Sequence, residues 1–218
     1  MTTSKPTLLI LAILLALTAC ANRLGPRSVS AEPTAKSRVS IRTVQADARE
    51  IPPNPPNTAG QLTSIKFPRI LVKKAERKLL LYSDDKLVRT YRIGLGLSPV
   101  GDKVRQGDRR TPEGDFYIFT KNDKSAFYLS LGISYPNAAH AERGLRDGLI
   151  TQAQYDSITR ALKAKQTPPQ NTRLGGDIYI HGNGAGSDWT WGCVALEDSD
   201  VRELFRVIPV GTPVRIVP

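Results

Sequence analysis

The sequence predicts a mainly β (α+β) domain over residues 66–218, shaped as a β sandwich or barrel and interrupted by an inserted helical lid segment. Three observations carry this. Short apolar or β-branched runs alternate with polar turns from Phe67 onward. A helix-start signal occurs only once the chain has passed residue 150, and most of the large apolar residues lie after residue 66.

In chain order, Ile70-Leu71-Val72, Leu79-Leu80-Leu81-Tyr82 and Leu87 to Ile93 read as three antiparallel strands. Polar turns at Ala75-Glu76-Arg77 and Ser83-Asp84-Asp85 join them. Thr111-Pro112-Glu113-Gly114 introduces Phe116 to Phe119, too apolar for an exposed edge, and later strands fall at 126–134, 177–181 and 214–217. Thr151 with Gln154 forms a capping box, after which Tyr155, Ile158 and Leu162 share a helical face. A second helix starts near Asp198–Asp200 with Val201, Leu204 and Phe205 as its buried stripe. The inserted segment spans roughly 137–172, and a lid from about 121 to 172 is expected to control access to the site.

The segment before the domain has a different texture. Lys5 precedes an unbroken apolar run from Leu8 to Leu17, followed by small residues, which reads as an export signal over 1–19. The tetrad Leu17-Thr18-Ala19-Cys20 resembles the lipobox of bacterial lipoproteins, which implies lipidation of Cys20 and a lipid anchor in the membrane. Ala21 after the cysteine resembles the pattern of periplasmic lipoproteins held in the outer membrane. Residues 20–65, rich in Pro, Ser, Thr and charge, read as an extended tether.

Of 218 residues, 31 are Lys or Arg and 20 Asp or Glu, a net charge of +11. Outside the cytoplasm, such charge suits anionic headgroups or wall polymer; without aromatics between the basic clusters, no nucleic-acid platform is expected. Two Cys and two His are too few for a disulfide scaffold or a cysteine-rich zinc module. No apolar stretch reaches the roughly 20 residues of a spanning helix.

If Cys20 is lipidated, Cys193 is the remaining thiol. The alternation in Ile178-Tyr179-Ile180-His181 puts Tyr179 and His181 on one face, with His181 at a strand end before Gly182. Twelve residues on, Thr190-Trp191-Gly192-Cys193 supplies a thiol behind a glycine loop. If the loop folds back, His181 can take the thiol proton and make a thiolate at neutral pH. Gly192 leaves backbone N–H groups open to an incoming carbonyl, as an oxyanion hole needs. The competing interpretation is a core cysteine and an unrelated histidine. His140 is expected to serve surface or lid packing.

These residues, Ile178-Tyr179-Ile180-His181-Gly182 with Thr190-Trp191-Gly192-Cys193-Val194-Ala195-Leu196, resemble the signature of the L,D-transpeptidase catalytic domain (YkuD type). Thr111-Pro112-Glu113-Gly114-Asp115-Phe116 resembles the same domain's T-P-x-G-x-F segment, so the likeness runs from Phe67 to Val217. The resemblance implies cysteine acyl transfer on peptidoglycan stem peptides, with neither cofactor nor metal. Cys193 would attack the carbonyl of the third stem residue and expel the terminal D-alanine. His181 would be the base, oriented by the Gly182 carbonyl, and the Gly192 and Cys193 amides would hold the oxyanion. Thr190, Trp191 and Tyr179 would bind substrate. Ala195 stands where many members carry Arg, and the short His–Cys spacing resembles a branch that includes hydrolases. Three functions therefore stay open: transpeptidase; hydrolase on the same thioester, including an amidase that releases a wall-attached protein; and a non-catalytic wall-binding lipoprotein.

Overall fold

The computed structural model describes residue 60 and residues 62–218; the export signal, Cys20 and nearly all of the tether lie outside the described residues. Among the described residues, eight strands and three helices follow in the order β1 (Arg69–Lys73), β2 (Lys78–Ser83), β3 (Lys86–Arg92), β4 (Gly114–Ser125), β5 (Tyr128–Ile133), α1 (Ala138–Arg146), α2 (Gln152–Lys163), β6 (Tyr179–His181), β7 (Val194–Ala195), α3 (Asp198–Val207) and β8 (Pro213–Val217). The strands form one sheet in the order β3-β2-β1-β8-β4-β5-β6-β7. Pairing is antiparallel except at β1–β8 and β6–β7. Just past β3, Gly94 exchanges both backbone hydrogen bonds with Ala195 of β7, at 2.8 and 2.9 Å. The two ends of the sheet therefore meet, giving the barrel-like closure that covers its edges.

Alternation decides which residues face in. Ile70 and Val72 of β1, Leu79 and Leu81 of β2, Val214 and Ile216 of β8, and Ile180 of β6 are all buried in one core. Val201 and Leu204 of α3 enter the same core, whereas Phe205 is only partly buried at its margin. Leu62 and Ile65 pack against it too, and the Leu62 amide donates to Glu203 at 3.2 Å. Packed contacts thus begin upstream of the expected boundary at 66.

The capping box at Thr151 forms, and Ile158 with Ala141, Ile150 and Leu174 makes a small second core under α1 and α2. Helix α1 was not singled out in the sequence: it contains Gly144 and its apolar face is only Ala141 and Leu145, and it starts on the Asn137 side chain, which accepts from the His140 amide. Within the expected lid of 121–172, the first part is a strand hairpin, whose turn places Phe127 over His181. Residues 121–133 belong to the β4–β5 hairpin, whose polar outer part (Lys121 to Ser125) pairs with β5 while projecting past the core.

One buried charge fastens the loop before β4. Lys74, 2% exposed, donates to the Gly101 and Thr111 carbonyls and pairs with Glu113 at 2.7 Å. Lys74→Ala would strand all three acceptors, so a loss of about 3–5 kcal/mol is expected in guanidinium unfolding. A loss under about 1 kcal/mol would show that the pair is replaceable by water.

Candidate functional site

Strand β6 sits between β5 and β7, with Ile180 opposite Leu131 on one side and Val194 on the other. Ile180 and Val194 are both fully buried, so they point into the core. The side chains of Tyr179, His181 and Cys193 consequently lie on the opposite face, because paired residues of adjacent strands share a face. Cys193 immediately precedes β7 and is held level with Tyr179, whose amide donates to its Sγ at 3.4 Å. The thiol and the imidazole are thus two strand positions apart, roughly 7 Å along β6.

His181 is 2% exposed. Phe127 stacks on its ring with centroids 4.7 Å apart, and Trp189 meets it edge-on at 5.5 Å. Its Nδ1–H donates to the Gly182 carbonyl at 2.7 Å, leaving Nε2 as the proton-accepting side. Burial lowers the His181 pKa, with the Gly182 hydrogen bond opposing it. Gly182 has no room for a side chain: an added Cβ would lie 2.4 Å from the Asp198 carboxylate, which accepts from the Asn183 amide at 2.8 Å. Glu197 likewise accepts from Ala185, and Trp189 Nε1 donates to Gly184, so the loop between the histidine and the thiol is tied at both ends.

The Cys193 thiol hydrogen-bonds to backbone rather than to the imidazole: it donates to the Asp177 carbonyl at 3.5 Å and accepts from Tyr179. Burial pushes its pKa up to about 11, with the Tyr179 amide pulling the other way, Asp177 adding to the rise and Lys103 opposing it. At rest this favours the neutral thiol; the thiolate that the sequence allowed depends on the imidazole reaching the sulfur. The residue is nevertheless partly open to solvent, on a cavity of about 210 Å³ lined also by Lys103, Gln106, Gly176, Asp177 and Trp191.

Two expectations are corrected. The Gly192 amide is not open to an incoming carbonyl, because it donates to Thr190 Oγ1 at 3.1 Å. Thr190, expected to touch substrate, is 3% exposed, and its hydroxyl also donates to the Cys193 carbonyl at 2.8 Å. It shapes the turn that presents the thiol. Tyr179 is half-buried with its ring 6.3 Å from Phe119, and what it offers Cys193 is its amide. Trp191 stands 67% exposed at the cavity mouth. Sequence reasoning missed Phe127, Trp189, Lys103 and Thr111, whose hydroxyl approaches the Cys193 carbonyl at 3.4 Å. Only Thr111, in its T-P-x-G-x-F segment, carried a signal that could have found it.

His140 is buried and bridges the Asn137 and Asp102 side chains, the latter at 3.0 Å. Asp102, which also accepts from Arg143 and the Glu113 amide, is held at about 2: burial pushes its pKa up, and these hydrogen bonds outweigh it. This cluster pins α1 to the loop before β4. Among the described residues, no group of three or more His, Cys, Asp or Glu could hold a metal ion.

No curated protein matches the sequence. Solved structures do, at low identity. An L,D-transpeptidase from Xylanimonas cellulosilytica is 19% identical over 73% of this chain and 64% of its own, with a TM-score of 0.41. The helical cell shape determining protein Pgp2 from Campylobacter jejuni is 20% identical over 72% and 51%, with a TM-score of 0.45. Bd1075 from Bdellovibrio bacteriovorus is 21% identical over 72% and 52%, with a TM-score of 0.43. The chain thus spans between half and 64% of the length of these structures. The family model of the L,D-transpeptidase catalytic domain (YkuD) matches residues 68–216, from the start of the sheet through β8 and across both the His181 and Cys193 segments. On that match over most of its length, the chain belongs to the L,D-transpeptidase catalytic domain family.

Proposed function

We propose that the domain is a peptidoglycan L,D-transpeptidase in which Cys193 is the nucleophile and His181 the general base. The observation that carries this is the shared face of β6 and β7, with the imidazole tautomer set by Gly182 so that Nε2 can receive a proton. Rotation of the Cys193 side chain away from Asp177 would bring Sγ toward Nε2, as hydrogen bonds that are long in a free enzyme tighten with substrate bound.

In the first half-reaction, Sγ bonds to the carbonyl carbon of the third stem residue while the thiol proton passes to His181 Nε2. The tetrahedral intermediate then breaks its C–N bond, and the imidazolium returns the proton to the departing D-alanine amine. In the second, an acceptor amine attacks the thioester carbonyl and gives its proton to His181; the C–S bond then breaks and the imidazolium returns that proton to the sulfur. Since Thr190 occupies the Gly192 N–H, the amide of Cys193 itself is the donor we assign to the oxyanion. Export through residues 1–19 and a lipid on Cys20 would hold the domain in the periplasm against the wall, at the outer membrane.

A hydrolase on the same thioester is the second reading. It is favoured by Ala195, which lies fully buried under Gly94 and offers the site no cationic side chain. The deciding experiment supplies a tetrapeptide muropeptide with and without an amine acceptor and identifies products by mass. Cross-linked product is expected. Tripeptide alone would make the enzyme a carboxypeptidase, release of a wall-attached protein with free stems inert would make it an amidase, and no product in any arm would leave a wall-binding lipoprotein.

A further inference from the structure

We propose that Arg109, stacked on Trp191 at the mouth of the Cys193 cavity, is a specificity-determining residue that reads a free carboxylate on the peptide substrate. This rests on the stem-peptide reading above. The guanidinium carbon lies 4.8 Å from the Trp191 ring centroid, close enough for a cation–π contact. Arg109 is exposed, as is Trp191, and Trp191 lines the cavity that contains the thiol.

The backbone under Arg109 is tightly placed. Its φ is +58°, and its carbonyl accepts from the Ser98 amide at 3.0 Å. A Cβ added at Gly96 would lie 2.1 Å from that carbonyl oxygen, and one added at Gly192 would lie 2.7 Å from the carbonyl oxygen of Arg110. The Arg109–Arg110 segment therefore rests directly on the residue that precedes Cys193. Packed backbone thus fixes where the Arg109 side chain leaves the loop, against Trp191 at the cavity mouth.

Among the described residues, the charge at this rim has no acidic partner. Asp108, next to Arg109, is taken by Lys103 at 2.8 Å and by the amides of Val104, Arg105 and Arg110. Asp102, the other acid of the loop, is taken by His140, Arg143 and the Glu113 amide. Among the described residues Arg109 forms neither an ion pair nor a side-chain hydrogen bond, and exposed Arg105 and Arg173 form no ion pair. Arg105 and Arg173 are brought close by the Gln106-to-Arg173 backbone bond at 2.9 Å. A guanidinium held against an indole, with its N–H groups unclaimed among the described residues, suits bidentate recognition of a carboxylate. A stem tetrapeptide offers two: the terminal α-carboxylate of the leaving residue and any side-chain carboxylate of the third residue.

The test measures binding to the full chain carrying Cys193→Ala, which prevents turnover. Three peptides are titrated by calorimetry: the tetrapeptide with all carboxylates free, its C-terminal amide, and the form amidated on the third side chain. Adding Arg109→Gln is expected to weaken binding of the free tetrapeptide about tenfold, and Arg109→Lys by less, since Lys keeps the charge but not the fork. One amidated peptide should bind equally to the chains with and without Arg109→Gln, and its identity names the carboxylate. Equal loss for all three peptides, or no loss for any, would overturn the proposal, as would absence of peptide binding. The outcomes separate from the enzymatic reading. Arg109-dependent discrimination in a chain whose wild type forms no product would retain this proposal and remove the transferase. Turnover without discrimination would do the reverse.

Discussion

His181→Ala is expected to lower turnover of a tetrapeptide stem about a thousandfold, and Cys193→Ala to reduce it to background. The two losses differ in origin. Without the sulfur there is no thioester, so neither half-reaction has a path. Without the imidazole the sulfur remains, but its proton has no acceptor, because the groups it meets are the Asp177 carbonyl and the Tyr179 amide. A carbonyl oxygen cannot take that proton at neutral pH, and an amide competes only by donating. His181→Ala should leave the fold in place: the ring packs against Phe127 and Trp189 at the sheet's outer face, whereas the core is built by Ile180 and Val194 behind it. Product release measured at saturating substrate, with circular dichroism for the fold, checks this. A folded His181→Ala chain retaining more than about a tenth of wild-type turnover would remove His181 as the base.

The second large effect is the pH dependence of the thiol. With the Cys193 pKa near 11, the thiolate fraction at pH 7 is about one part in 10⁴. Alkylation of the free protein by iodoacetamide should therefore climb about tenfold per pH unit between 7 and 10, with no plateau in that window. A thiolate–imidazolium pair present at rest would give a flat profile instead, and that result would reverse the protonation order assigned here. Turnover also rises with pH, but over a lower range and then levels off. His181 must be neutral to accept a proton, and burial sets its pKa below 6.5, so activity should fall only as pH drops through a value under 6.5. The difference between the two profiles isolates what substrate does: it must draw the sulfur from Asp177 to the imidazole before the proton can move.

How much of this was legible in the sequence depends on how local each signal was. Period-two alternation in Ile178-Tyr179-Ile180-His181 already placed Tyr179 and His181 on one face, and the Thr151–Gln154 box placed the start of α2, because both are settled within a few residues. Helix α1 escaped because its apolar face is short, only Ala141 and Leu145, and much of its anchoring comes from Asn137, Asp102 and Leu174. The outer half of β4 escaped because strand pairing with β5, not burial, holds its polar residues extended.

The site divides along the same line. The chain alone determined that a histidine ends a strand and that a thiol follows a glycine turn inside a β-rich domain, since those are matters of residue type and spacing. Only the tertiary structure decided that Thr190 claims the Gly192 amide, that Phe127 and Trp189 enclose the imidazole, and that the sulfur rests protonated against Asp177. Hydrogen-bond partners and desolvation depend on which distant segments the closed sheet brings together. No local pattern of residues encodes them.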